Sequence, residues 1–335
     1  MMGQPPTPGK GTAAPGSGPR IAMPETVTPK TVTPKTAAPG RPVRATVALA
    51  LALAAAWVGA SVPRSPDPAL TLSYGQDPRQ IVVVYTAPRT ATAPAGAVSS
   101  DATPDVASRP PLAVYVHGGA WRAGSPMRVR AKPQWFREAG WGFASVGYRL
   151  LPDASVEEQA RDVAAGLRAL RADAERLGFD PDRILLMGHS AGAHLAALVA
   201  SDQRYLGADA DAVRGVILLD GAGYDVANEY TLRGALARKL YGDTFGDDPA
   251  RQRALSPINH VDARDPPDWL IVFAESRRDA REQAQGFGDA LQRVGLRVER
   301  VPDPGDHLEI NREFGTPDYR ANASNRALMA RVEGA

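Results

Sequence analysis

The chain contains no cysteine among its 335 residues. This absence excludes disulfide bonds, thiolate metal ligands, a cysteine nucleophile and the lipid-bearing cysteine of a bacterial lipoprotein. The chain also lacks a cluster of basic residues interleaved with aromatic ones, which argues against a nucleic-acid partner. What remains, with 44% hydrophobic and 23% charged residues, is the composition of a globular protein with one large core.

The first 44 residues hold little that could build a core. They contain 10 of the 30 prolines, and the pentapeptide TVTPK occurs twice, at 26–30 and 31–35. Such a segment buries too little apolar surface to offset its ordering entropy, so we expect residues 1–44 to be a disordered leader. Because six basic residues and one acidic residue lie in it, the net charge of +2 comes from the leader, and the rest is mildly acidic.

An uncharged run, ATVALALALAAAWVGASV, occupies residues 45–62 and follows Arg41 and Arg44. A basic flank, an apolar run and small residues before a cut at Ser61 are typical of a signal peptide. The run is also long enough for one membrane span, and a buried core helix is the third interpretation. We therefore expect export to the periplasm or medium, or a membrane anchor with the folded domain outside the cytoplasm. Residues 63–69 form a linker.

Residues 70–335 are predicted to form one α/β domain. Predicted helices occupy residues 156–177, 191–201 and 279–294. Predicted strands occupy residues 70–75, 81–87, 112–118, 141–150, 183–188, 213–221, 269–275 and 297–302. Because strands alternate with helices through the second half, we expect a mostly parallel, doubly wound sheet with helices on both faces. Residues 222–268 lie between two core strands and are predicted to form a small cap.

The sequence Gly188-His189-Ser190-Ala191-Gly192 matches the pattern G-x-S-x-G. It lies between an apolar strand and a helix of small residues, where a sharp turn exposes a nucleophilic serine in α/β-hydrolases. The helix N-terminus adds a positive dipole near the reacting oxygen. We predict Ser190 as a nucleophile; the alternative is a small-residue turn that packs a helix onto a sheet.

A second glycine-containing segment, HGGAW, directly follows the strand that ends near residue 116. Acyl transfer places negative charge on a carbonyl oxygen, and fixed backbone N–H donors stabilise it. We predict an oxyanion hole from Gly119 and Ala191, with Gly118 or Ala120 as additional donors. His117 is predicted to shape this loop.

The catalytic base must come from five histidines: His117, His189, His194, His260 and His307. The chain order serine, acid, histidine leaves His260 and His307, because the other three lie before the serine or too close to it. His307 follows the last strand, where a base is expected, whereas His260 precedes the strand at 269–275. The loop after that strand offers Asp279, our predicted acid, and Glu275 as the alternative.

The chain resembles the α/β-hydrolase esterases that are feruloyl esterase-like or kynurenine formamidase-like. The resemblance covers about residues 70–335 and rests on SYGQDPRQIVVVYTAP, VYVHGGAWRAGS, VGYRLLP, GHSAGAHLAAL, LSPINH and DHLEINREFGTPD. It implies a triad of Ser190, Asp279 and His307 that hydrolyses carboxylic esters through an acyl-enzyme, with no cofactor or metal and a small-molecule ester as partner. Hydrolysis of N-formyl amides and non-catalytic binding are the alternatives.

Overall fold

The computed structural model describes residues 68, 70–85, 109–232 and 234–334. The predicted leader (1–44) and the predicted signal peptide or anchor (45–62) lie outside these residues, and so does almost all of the linker (63–69). Within the described ranges, no helix is both long enough and apolar enough to cross a membrane.

Eight strands form one sheet in the order β1-β2-β4-β3-β5-β6-β7-β8. The strands are β1 Leu70–Ser73, β2 Ile81–Tyr85, β3 Leu112–Val116, β4 Gly142–Val146, β5 Ile184–His189, β6 Val213–Leu219, β7 Asp268–Ala274 and β8 Arg297–Asp303. Strand β2 is antiparallel to both of its neighbours, and all other pairs from β4 to β8 are parallel. The predicted mostly parallel sheet is confirmed.

The helices fill the connections between the strands. They are α1 Lys132–Glu138, α2 Val156–Ala172, α3 Ala174–Leu177, α4 Ala191–Ser201, α5 Gln203–Leu206, α6 Val226–Leu232, α7 Ala235–Phe245, α8 Pro249–Ala254, α9 Arg278–Arg293, α10 His307–Glu313 and α11 Asn322–Glu333. Two short 3₁₀ helices lie at Gly207–Ala212 and Pro257–Asn259.

The core lies on both faces of the sheet. Helices α2, α4 and α9 bury their apolar residues against one face, and α1 and α11 pack against the other. Every residue of the central strand β5 is buried, whereas β1 alternates between partly buried and exposed positions. This difference is expected because a central strand is covered on both faces and an edge strand is not.

The predicted helix at 156–177 is divided in two. It begins at a capping box in which the Ser155 side chain accepts from the Glu158 amide and Glu158 reaches back to Ser155. At Asp173 the backbone leaves the helical conformation, with φ −107° and ψ 9°, and the Asp173 carboxylate pairs with Arg176. Gly178, with φ 76°, ends the second piece after Leu177, which is the predicted end of the helix.

Helices α6–α8 lie in the connection between β6 and β7, where a small cap is predicted. Phe245 at the end of α7 packs edge-on against Trp121, with ring centroids 4.9 Å apart. Arg122 donates a hydrogen bond to the carbonyl of Asp243 at 2.7 Å. The connection therefore contacts the loop that follows β3, where the HGGAW sequence lies.

Candidate active site

Ser190 lies in a strained turn between β5 and α4. Its φ of 56° and ψ of −124° are uncommon for a residue with a side chain. A Cβ on Gly188 would lie 2.2 Å from the carbonyl oxygen of Gly192, and one on Gly192 would lie 2.2 Å from that of Val116. Both glycines of G-x-S-x-G are therefore required sterically, because the turn brings backbone against backbone.

The loop after β3 passes directly beside the serine. A Cβ on Gly118 would lie 3.0 Å from the Cβ of Ser190 and 2.7 Å from the carbonyl oxygen of His189. Gly119 has φ 135°, and the next two residues, Ala120 and Trp121, also have positive φ. Backbone strain of this kind concentrates at functional sites. Only a residue without a side chain fits at Gly118.

Two backbone amides near the serine, those of Ala191 and Gly119, have no backbone acceptor among the described residues. Ala191 is the first residue of α4, so its N–H has no acceptor within the helix. The Gly119 amide donates to no backbone carbonyl among the residues that the structure describes. The Ala191 amide directly follows Ser190, and the Gly119 amide belongs to the loop that contacts Ser190. Helix α4 directs the positive end of its dipole towards Ser190.

His307 begins helix α10, four residues after the end of β8 at Asp303. Asp306 caps that helix by accepting from the amides of Leu308 and Glu309. The His307 ring lies 4.6 Å, between centroids, from the ring of His189, the residue before Ser190. The His189 Nε2–H also donates to the His307 carbonyl oxygen at 2.8 Å. The structure thus brings the predicted base to the serine turn.

The carboxylate that hydrogen-bonds to the His307 ring is that of Asp220, which directly follows β6. The His307 Nδ1 to Asp220 Oδ2 distance is 2.6 Å, and Asp220 Oδ1 accepts from the amide of Ala274 at 2.9 Å. Asp220 is 1% exposed and has φ 42°, a strained value like that of Ser190. Burial raises the pKa of this carboxyl, but its hydrogen bond to His307 and the charge of Arg277 outweigh burial and hold the pKa at about 2.

This geometry corrects the predicted acid, Asp279. Arg277 lies between Asp279 and the histidine: its Nη2 is 2.6 Å from Asp279 Oδ2, and its Nη1 is 2.8 Å from His307 Nδ1. The predicted alternative, Glu275, is exposed. The ends of β6 and β7 are adjacent in the sheet, so a carboxylate after either strand can reach the same ring, and Arg277 occupies the path from the β7 side.

The other histidines have structural contacts. His117 stacks on Tyr148 at 4.3 Å, and burial lowers its pKa to about 4, so it is neutral at pH 7. His194 Nδ1 accepts from the Trp121 indole N–H at 3.3 Å, and its Nε2–H donates to the carbonyl of Leu255.

His260 is not among the residues around Ser190; its Nε2 lies 2.9 Å from the carbonyl oxygen of Ala254.

Trp121 is 4% exposed and packs within the core beside Phe245. It is therefore part of the support for the loop after β3.

The last turn of helix α10 is bound by Lys132, a fully buried lysine. Its Nζ donates to the carbonyl of Asn311 at 2.7 Å and lies 5.0 Å from the centre of the Tyr115 ring. The Asn311 carbonyl belongs to the last turn of α10, where helix carbonyls lack internal partners and a cation is favourable. Burial lowers the pKa of Lys132 to about 7.

Across the described ranges, no group of three or more His, Asp or Glu side chains could hold a metal ion. The chemistry that the site offers is that of a hydroxyl, an imidazole oriented by a carboxylate, and backbone N–H donors. Sequence reasoning missed Asp220 and Arg277. The available signal was an aspartate followed by Gly221 at the end of an apolar strand.

Comparison with known proteins places this site in context. The family model of BD-FAE matches residues 102–280, just over half of the chain. Esterase LipQ of Mycobacterium tuberculosis is 30% identical over 207 residues, covering 57% of this chain and 48% of LipQ. Esterase LipC of the same organism is 30% identical over 237 residues, covering 66% and 54%. The chain thus spans about half the length of these two relatives.

Among solved structures, the esterase Est2 of the planctomycete Thermogutta terrifontis is similar in fold. The TM-score is 0.60 at 23% sequence identity, and the match covers 80% of this chain and 92% of Est2. At this identity the likeness supports the fold, and it agrees with the α/β-hydrolase architecture predicted from the sequence.

Proposed function

Because the chain belongs to the BD-FAE family and has the α/β-hydrolase fold, we propose that it hydrolyses carboxylic esters through an acyl-enzyme. In this proposal Ser190 is the nucleophile, His307 the base and Asp220 the acid. The observation that carries it is the 2.6 Å hydrogen bond between His307 Nδ1 and the buried carboxylate of Asp220, beside a strained serine turn.

The hydrogen bond determines which ring nitrogen acts as the base. Asp220 is ionised at neutral pH, so it accepts the Nδ1–H proton and leaves the Nε2 lone pair of His307 free. Nε2 takes the hydroxyl proton while the Ser190 oxygen bonds to the ester carbonyl carbon. Asp220 stabilises the imidazolium that forms and remains ionised.

The remaining steps follow from the same groups. The carbonyl oxygen becomes an oxyanion, which accepts from the N–H groups of Gly119 and Ala191, each worth about 3 kcal/mol in a water-excluded site. His307 returns its proton to the leaving alkoxide, which departs as the alcohol. A water molecule then gives a proton to His307 while its oxygen attacks the acyl carbon. The bond from this carbon to the Ser190 oxygen breaks, and His307 returns the proton to that oxygen, which releases the acid and the serine hydroxyl.

Short p-nitrophenyl esters test the proposal. We expect wild-type protein to hydrolyse them and Ser190→Ala to lose at least about 10³-fold in kcat. Ser324→Ala is the matched control, because it removes the same kind of hydroxyl at a position outside the site, where the hydroxyl hydrogen-bonds to Glu299 on β8. A fluorophosphonate should label wild type and the control but not Ser190→Ala. Ester hydrolysis that persists in Ser190→Ala would reject the assignment.

We also propose, from the sequence alone, that residues 45–62 direct export. N-terminal sequencing of the native protein distinguishes the outcomes. A mature chain that starts at Ser61 indicates cleavage, and an intact chain in the membrane fraction indicates an anchor. An intact chain in the cytoplasm would contradict export.

A further inference from the structure

Arg277 is placed among the charged groups of the site. Its Nη1 lies 2.5 Å from Asp220 Oδ2 and 2.8 Å from His307 Nδ1, and its Nη2 lies 2.6 Å from Asp279 Oδ2. The side chain is 27% exposed, so the guanidinium is largely withdrawn from water. A fixed positive charge thus contacts both the acid and the base of the proposed triad.

The donors and acceptors permit only one arrangement with an ionised Asp220. Two lone pairs cannot face each other at 2.6 Å, so His307 Nδ1 carries the proton and donates to Asp220 Oδ2. Arg277 Nη1 has only N–H groups, and it donates to the same oxygen. Arg277 and the His307 ring therefore share one carboxylate oxygen, and their two N–H donors lie side by side.

Arg277 keeps its charge in this position. Burial acts to lower the pKa of its guanidinium, but the charges and hydrogen bonds of Asp220 and Asp279 outweigh burial and raise it. Asp279 therefore has a structural part in the site, since it fixes the outer half of the guanidinium while Asp220 fixes the inner half.

We propose that Arg277 is a positioning residue that orients Asp220 and weakens the binding of a second proton by His307. The inference rests on the proposed function, because it concerns the base of that triad. When His307 becomes an imidazolium, its new charge meets Arg277 at contact distance. The repulsion offsets part of the attraction of Asp220 and favours the neutral ring that acts as the base. Ester hydrolysis would then extend to lower pH than in a site without this arginine.

Arg277 is the cation at hydrogen-bond distance from the His307 ring, with Nη1 2.8 Å from Nδ1. The neighbouring ring, His189, is buried, and burial holds its pKa well below the usual range, so it is neutral at the relevant pH. Lys132 donates to the Asn311 carbonyl, and burial lowers the pKa of its amine to about 7.

Four acidic groups on the surrounding elements would favour proton binding: Asp279, Asp303, Asp306 and Glu309. The basic groups there are paired, Arg312 of α10 with Glu309 and Arg278 of α9 with Glu282. Burial raises the pKa of Tyr224 and of Tyr319, the phenols that interact with Asp220, so both are neutral.

The test compares Arg277→Met with Arg278→Met. Both substitutions remove one arginine, but the Arg278 side chain is 80% exposed and pairs with Glu282 on the surface of α9. We expect Arg277→Met to move the acid limb of kcat/KM upward by about one pH unit. Arg278→Met should leave the limb in place, and Arg277→Lys, which keeps the charge, should restore most of the wild-type position.

A second readout needs no substrate. The ring C–H signals of His307, assigned by their loss in His307→Asn, report its protonation by NMR titration. Their midpoint should rise by about one pH unit in Arg277→Met. Arg277→Gln, which can still donate to Asp220, serves the same purpose if Arg277→Met does not fold. A midpoint that does not move in the folded variant, or moves equally in Arg278→Met, would overturn the inference.

The two readouts separate this inference from the proposed function. If Ser190→Ala retained ester hydrolysis while the NMR midpoint rose in Arg277→Met, the proposed function would fail and the role of Arg277 would stand. If the triad variants lost activity while the midpoint stayed constant, the reverse would hold.

Discussion

The serine turn after β5 and the loop after β6 that carries Asp220, the proposed acid loop, each hold a residue with a side chain at a positive φ. Ser190 has φ 56° and Asp220 has φ 42°, and both follow adjacent parallel strands. They differ in what holds them. The serine turn depends on glycines two residues away, whereas Asp220 is held by contacts with Ala274, Arg277 and His307, all distant in the chain.

This difference shows why one residue of the pair is visible in the sequence and the other is not. Steric requirements within a turn leave a local pattern, because only glycine fits at Gly188 and Gly192. A carboxylate held by three remote partners leaves no such pattern. The comparison predicts that adding one methyl group to a glycine disrupts the serine turn. The acid loop, in contrast, is disrupted when Asp220 loses one of its hydrogen-bond partners.

The largest expected effect is on the serine turn. Gly188→Ala would bring a Cβ to 2.2 Å from the Gly192 carbonyl oxygen, and neither backbone can move without disturbing Ser190. We expect the free energy of unfolding to fall by about 3 kcal/mol, measured by urea denaturation. Gly286→Ala in α9 is the control. A Cβ there meets nothing within 4 Å, so stability should rise by up to about 1 kcal/mol. Equal losses in both variants would contradict the steric account.

A smaller effect is expected where the loop after β3 meets the serine turn. Gly118→Ala would place a Cβ 3.0 Å from that of Ser190 and displace the adjacent amide of Gly119. We expect kcat for p-nitrophenyl esters to fall about 100-fold, the effect of losing one oxyanion donor. Gly286→Ala again serves as the control. If kcat were unchanged, this loop would not supply the oxyanion hole.

The smallest expected effect concerns Lys132, which, like Asp220, is held by contacts with residues distant in the chain. Its pKa falls from about 10.5 in the unfolded chain to about 7 in the folded one, so the unfolded chain binds more protons between these values. Stability from this group therefore increases as the pH rises from 7 towards 10, and it is lost as the pH falls.

Lys132→Met removes this dependence. Between pH 7 and pH 9, the wild type should gain at least about 1 kcal/mol relative to the variant in urea unfolding. Lys239→Met is the control, because the Lys239 side chain is 63% exposed and pairs with Asp243. A constant difference between wild type and Lys132→Met over this range would show that burial does not lower the pKa of Lys132 and that the amine stays charged in the folded protein.

The sequence predicts most of the fold because the fold depends on local patterns. The apolar strand β5, the capping box at Ser155 and the stop at Gly178 all lie where their residue types indicate. The break at Asp173 was not predicted, since the helical spacing of apolar residues continues through it. There the side chain pairs with Arg176 while the backbone leaves the helix.

The candidate site divides in the same way. Ser190, the Gly118–Gly119 loop and His307 could be placed from strand order and motifs, and the structure brings them together. Asp220 could not, because the loops after β6 and β7 both end beside His307. The side-chain position of Arg277 decides which carboxylate reaches the ring, and only the folded structure contains that information.

The most direct test of this account is the ratio of kcat/KM between Asp220→Asn and Asp279→Asn. Asp220→Asn removes the negative charge that stabilises the imidazolium and lets an amide N–H face Nδ1, which holds His307 in the wrong tautomer, so we predict a loss of about 10³- to 10⁴-fold. Asp279→Asn weakens the outer contact of Arg277 and leaves the carboxylate of Asp220 on the ring, so we predict a loss of less than about tenfold. A larger loss in Asp279→Asn than in Asp220→Asn would contradict the account and return the role of the acid to the loop after β7.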